Sequence, residues 1–463
     1  AASDVYKRQV FYKNGANNFR IRKSGAGTQI LSRAAGNTEN LAGISVTGGV
    51  LELAGTSVGF NSGFFTSNQT YTVSNGGTLR ASANWNLASG NNVALNGGTL
   101  DASASANYLN TLSLAGGSTA SGNLRFGLTG GSTVTSTGNS TNTLSAALSL
   151  VNVGSLTATF NVADGSQSVD LLVSGGISDL PQDANGTSYT GMVVSKTGAG
   201  TMVLGGSNSF AGNLSVGAGT LRVTGSLSGG SYAGAISNSG VLEFASSSDQ
   251  TLSGLITGSG SLIMSGSGLL TLNGANTGFL GGVQVQDGSV LIGHVSALGT
   301  GAVTLNGGTL DLNGYAITNT INFGGGTLLR ATGLSNPIKL TGNVSSSDVN
   351  NLPGSQVTLS AGATLNLTGV TKDILFTGGT LSNPAGYNGK ITVTGGTLDL
   401  SSDTPSGIIE VATGGTLSFG NGATEITKAV RYTGGVVTGS AFKGDVEIRG
   451  DVTLTDNIQS VSY

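Results

Sequence analysis

Residues 303–312 read Val303-Thr304-Leu305-Asn306-Gly307-Gly308-Thr309-Leu310-Asp311-Leu312, and the rest of the chain is built from variants of this phrase. Val303 and Leu305 alternate with a threonine, and Leu310 and Leu312 alternate with an aspartate. Period-two alternation sends the apolar side chains to one face and Thr304 and Asp311 to the other. Asn-Gly-Gly between the two runs tolerates positive φ without steric cost. The phrase therefore predicts strand, sharp turn, strand, with one face to bury.

Its copies keep their spacing. Ile44-x-Val46 leads through Gly48-Gly49 to Leu51-x-Leu53, Leu214-x-Val216 leads to Leu221-x-Val223, and Ile391-x-Val393 leads to Leu398-x-Leu400. The turn threonines Thr309, Thr327, Thr364, Thr380, Thr397 and Thr416 recur at nearly even steps, apart from one double step between Thr327 and Thr364. That double step divides naturally in two, so the period is about 16–21 residues. Such a period is too short for a propeller blade and suits one coil of a β-solenoid wound around a narrow apolar centre. Antiparallel hairpins are the competing reading, because Asn-Gly between alternating runs is also a hairpin signal. A nearly constant coil length favours the solenoid.

Composition agrees with stacked repeats. Of 463 residues, 80 are glycine, more than twice the usual share of about 7%. Charged residues make up only 9%, and the formal net charge is −3. No basic run exists to meet nucleic acid, so no nucleic-acid partner is expected. No apolar window reaches the length of a membrane helix, and the short strands and 5% aromatics do not suit a transmembrane barrel. Direct membrane insertion is therefore not expected of this segment. With no cysteine, thiolate chemistry is excluded. Regular Leu-x-Leu pairs supply the apolar area that a disordered polar tract would lack.

Residues 1–9 do not resemble the repeats, contain no apolar core of a signal peptide, and read as a non-native or truncated leader. Residues 10–463 read as one continuous repeat domain. The run Leu180-Pro181-Gln182-Asp183-Ala184-Asn185-Gly186 marks a loop excursion over 180–187. The repeat is least regular over 110–183.

At Lys196-Thr197-Gly198-Ala199-Gly200-Thr201-Met202-Val203-Leu204, with Asn208-Ser209-Phe210-Ala211-Gly212-Asn213-Leu214 and Gly219-Thr220-Leu221-Arg222-Val223, the chain resembles the autotransporter-associated β-strand repeat. Ser296-Ala297-Leu298-Gly299-Thr300-Gly301-Ala302 leading into residues 303–312 is similar to the same family, and residues 269–292 look like a more diverged copy. The resemblance implies the passenger of a type V secreted bacterial surface protein, a Gram-negative source, an extracellular location and a right-handed parallel β-helix. The family's signal peptide and C-terminal translocator barrel are not in these residues, as expected of a fragment. The expected fold is thus an elongated all-β right-handed parallel β-helix. About 20 residues per coil would give roughly 20–23 coils and, at about 4.8 Å each, a length on the order of 100 Å.

No catalytic, cofactor or metal site is expected. His294, the only histidine, lies between strand and turn without partners for a metal or a triad. Gly258-Ser259-Gly260 and Gly266-Ser267-Gly268 imitate a nucleophile elbow, but no base accompanies them. Asp164, Asp170, Asp179 and Asp183 come nearest to the carboxylate cluster of a polysaccharide-active β-helix. Asp311 and Asp399 are expected to face solvent. Arg449-Gly450-Asp451, between two short strands, is a candidate adhesive turn. These features point to a non-enzymatic stalk or display surface. Its partners would be a receptor or glycan on a host or neighbouring cell. A filament or coat formed by axial self-association and a polysaccharide-active enzyme are the alternatives.

Overall fold

The structure, a computed structural model, describes residues 8–9, 19–33, 41–55, 69–83, 87, 90–126, 132–151, 157–180, 189–331, 334, 336, 338–400, 405–418, 430–438, 446–448 and 452–454. The chain divides into two compact units, Ala1–Gly278 and Phe279–Tyr463. Each is a parallel β-solenoid, and together they make about 18 turns.

Residues 303–312 settle the choice between coil and hairpin. Val303 pairs with Ile321 and Leu310 with Leu328, in parallel, so the two runs meet the next coil and not each other. Among the described residues the one antiparallel contact outside this pattern is an isolated bridge, Leu180 to Tyr189. The expected sharp turn is instead a corner inside one strand, Val303–Asp311. Gly308 bends it at φ +58°, where an added Cβ would sit 2.6 Å from the Gly288 carbonyl oxygen. Coils this close leave no room for a side chain at that corner.

In the first unit one face of the coil is an 11-stranded parallel sheet running from Phe19–Lys23 to Ile256–Thr257. A second face includes Thr28–Arg33, Thr201–Leu204, Thr220–Val223, Val241–Phe244 and Ser261–Met264. Shorter strands such as Gln250–Leu252 and Leu269–Leu272 form a third. Inward side chains stack in register: Leu51, Leu79, Leu100 and Ala120 are successive rungs of one buried file. Each buried leucine contributes about 1.5–3 kcal/mol relative to exposure. Arg8–Gln9, within the supposed leader, pair with Ile30 and Leu31.

The second unit shows the same principle with shorter coils. Leu305, Phe323, Leu340, Leu359, Phe376, Val393, Val411 and Tyr432 form one buried file. The turn threonines are themselves rungs: Thr309 pairs with Thr327, Thr364 with Thr380, and Thr397 with Thr416. Asn343, which pairs with Thr364, takes the rung missing from the double step. A single helical turn, Ser346–Asn351, is capped by the Ser345 hydroxyl, which accepts from the Asp348 amide at 3.1 Å.

Candidate functional site

Two features of the coil carry polar chemistry: a buried corner and an outer ladder. At the corner, Lys196 has 0% of its surface exposed. Its Nζ donates to the carbonyl oxygens of Thr197 at 3.1 Å, Gly198 at 2.5 Å and, on the next coil, Ala218 at 3.0 Å. Burial pulls its pKa down to about 8, and the Asp170 carboxylate opposes that shift. Lys23 repeats the geometry one copy earlier, donating to Ser24 and Gly25 of its own turn and to Gly48 of the next coil. Both lysines open the same phrase, Lys-x-Gly-Ala-Gly-Thr. In each case an inward ammonium ties down the carbonyls of a corner too tight to bond them along the strand.

Asp170 closes the neighbouring corner. Its Oδ1 accepts from the Gly165 amide at 2.9 Å and its Oδ2 from the Thr201 amide at 2.7 Å. Asp179 Oδ2 accepts from the amides of Ala211 at 2.9 Å and Gly191 at 3.3 Å. Asp164 is exposed, and Asp183 lies outside the described residues. Asp170 and Asp179 thus serve as acceptors for backbone amides. Among the described residues no three His, Cys, Asp or Glu side chains are placed to hold a metal ion.

His294 Nδ1 accepts from the Ser296 amide at 3.0 Å, which fixes the ring in its own turn. Ser259 and Ser267 are exposed on corners. Asp311, expected to be simply solvated, is half-buried and gripped by Arg330 of the next coil, whose Nε donates to Oδ1 at 2.7 Å. That pairing holds its carboxyl below the ordinary range. Arg449, Gly450 and Asp451, and residues 181–187 of the loop excursion, lie outside the described residues.

The outer ladder runs along the first face of the first unit. Thr70, Asn92, Thr111, Thr133, Thr159, Ser195, Ser215, Ser237 and Thr257 are successive rungs. All are half-buried or exposed, and none is charged. Sequence pattern alone gives the outward direction of each, but not which residue stands beside which.

With this geometry in view, the comparison with known families is specific. A family model described as the passenger-associated-transport-repeat matches residues 21–53, 194–223 and 262–292. The chain carries the passenger-associated-transport repeat. The first two matched segments begin just before Lys23 and Lys196, so the lysine corner takes the same place in both. In the third copy Met264 holds that place and is buried. Lys23 and Lys196 lead from the first face to the second, whereas Met264 ends a second-face strand and leads to Leu269–Leu272 on the third. The repeat is therefore a two-face module that can be set on different pairs of faces. No curated protein and no solved structure matches the chain. Among the described residues no helix is long and apolar enough to cross a membrane.

Proposed function

We infer that the chain belongs to the passenger region of an autotransporter, because its repeat and its parallel solenoid fit one and the repeat family implies a secreted, surface-exposed protein of Gram-negative bacteria. Within that frame we propose that the chain is a non-enzymatic stalk and display surface, presenting its outer ladders to a neighbouring cell or host. The observation that carries this reading is the use of the buried ionisable groups. Lys196 and Asp170 are consumed by backbone carbonyls and amides, which fasten corners instead of facing a substrate. The chain displayed on non-adherent Gram-negative cells is expected to confer attachment to a glycan-bearing surface. It is also expected to release no reducing ends from neutral or acidic polysaccharides. New reducing ends would replace this reading with an enzymatic one.

A further inference from the structure

The first face of the first unit is not uniformly flat. Two clefts lie on it, of about 730 Å³ and about 380 Å³, and they share Thr70. The larger is lined by Arg20, Arg22, Ser45 and Thr72, the smaller by Asn92, Thr111 and their neighbours. From the strand of Arg20 and Arg22 to that of Thr111 there are four strand-to-strand steps, about 19 Å at about 4.8 Å each.

Charge is segregated around this track. Among the described residues no aspartate or glutamate lines either cleft. Glu52 and Asp101 are the carboxylates among the described residues of these coils, and both stand on the second face, where Arg80 bridges Asp101 at 2.9 Å and Glu52 at 3.8 Å. The track therefore offers guanidinium groups at one end and hydroxyl and amide groups along the rest. Among the described residues no aromatic ring lines it, so nucleobases would find no stacking platform there. A ladder of hydroxyls, each both donor and acceptor, matches a chain that itself carries a hydroxyl or ring oxygen at every step. Arginines at the end of it match a carboxylate, which the guanidinium fork binds in a bidentate way.

We propose that this face is a binding track for a linear acidic polysaccharide, with Arg20 and Arg22 holding a uronate carboxylate and the rungs from Ser45 to Thr111 holding sugar hydroxyls. The second unit carries a cleft of about 600 Å³ of the same kind, lined by Thr304, Asn306, Asn322, Lys339 and Thr341, again with a cation and without a carboxylate. The track rests on the display reading and gives it a ligand class. Binding at each cleft is weak, and repeated clefts raise avidity.

The test uses the full chain and titration calorimetry with a linear hexagalacturonate. Binding is expected to weaken as NaCl screens the arginines. The Arg20→Gln/Arg22→Gln variant should lose roughly tenfold in affinity or more, and Thr111→Val a few-fold. Both arginines are exposed, so the variant keeps its fold, which circular dichroism verifies. Ser267→Ala, at an exposed corner away from this face, should leave affinity unchanged. Equal binding of neutral maltohexaose, equal or tighter binding of oligothymidylate, an unaffected double-arginine variant, or no binding at millimolar hexagalacturonate would each overturn the track. These outcomes are distinct from failure of the display reading, which shows as newly released reducing ends.

Discussion

The two units solve the same winding problem with different corners. In the second, register partners stay close along the chain, from Val430 beside Val446 to Ile409 beside Val430. In the first, Thr201 lies beside Thr220 at a similar separation, but Thr143 lies beside Leu172 and Leu172 beside Val203, roughly half as far again along the chain. These long coils bring the number of turns below that expected from a uniform period. Buried polar side chains are concentrated in the first unit, in its long coils, as at Asp170, and in coils of ordinary length, as at Lys196, Asn238 and Gln250. Asn142, Asp170, Asp179, Lys196 and Asn208 all lie in the first unit, whereas the buried polar residues described in the second are Asn319 and Thr358. Most corners of the second unit satisfy their backbone against the next coil, whereas corners of the first bring amides and carbonyls inside that take side-chain partners.

The sharpest way to break this comparison is to remove one such partner from each unit. Asp170→Ala strands two amides, those of Gly165 and Thr201, and should cost roughly 2–5 kcal/mol of the first unit's stability in urea unfolding. Asn319→Ala strands only the Gly299 and Gly301 carbonyls, reached at 3.1 and 2.7 Å, and should cost about 1–2 kcal/mol. Equal losses would mean that corners of the first unit are no more dependent on buried side chains than those of the second.

A smaller effect sharpens the role of the lysine corner. Burial lowers the Lys196 pKa from 10.5 to about 8, so between these values the unfolded chain holds a proton that the folded chain has released. Stability from this group is therefore complete above pH 10.5 and falls away as pH drops to about 8. Over pH 8 to about 10 the native chain should gain stability relative to a Lys196→Met variant, which carries the residue found in the third copy. A constant difference between the two urea midpoints across that range would show that burial does not disfavour the ammonium.

The smallest effect belongs to the surface of the second unit. Asp311→Asn should lower stability only slightly, because its partner Arg330 stands in solvent. With its pKa lowered chiefly by the Arg330 hydrogen bond, Asp311 contributes above the ordinary carboxylate range and loses that contribution as pH falls through its folded value. High salt should erase the difference between the two proteins, and a difference that survives salt would place Asp311 among the buried corner groups.

The regular unit was the more legible one. Its turn threonines are register partners in the structure, Thr309 with Thr327, Thr364 with Thr380 and Thr397 with Thr416, because short corners leave the coil little choice of length. The less regular text over 110–183 was visible as irregular, but its reason was not. Asp170 looked like a member of a carboxylate cluster, and only the folded corner shows it binding the Gly165 amide nearby and the Thr201 amide a full coil away. The same holds for Lys196, which alternation alone places inward without giving the three carbonyls it meets.

By itself the sequence determined the strand period, the inward leucine files and the parallel solenoid, since alternation and a recurring coil length are local properties of the chain. Only the tertiary structure decided which rungs stand side by side, and so which lysine closes which corner and which hydroxyls line the clefts. Coil length varies nearly twofold, from the step between Val430 and Val446 to that between Leu172 and Val203. Neighbours across coils therefore depend on every insertion between them, which no local pattern records.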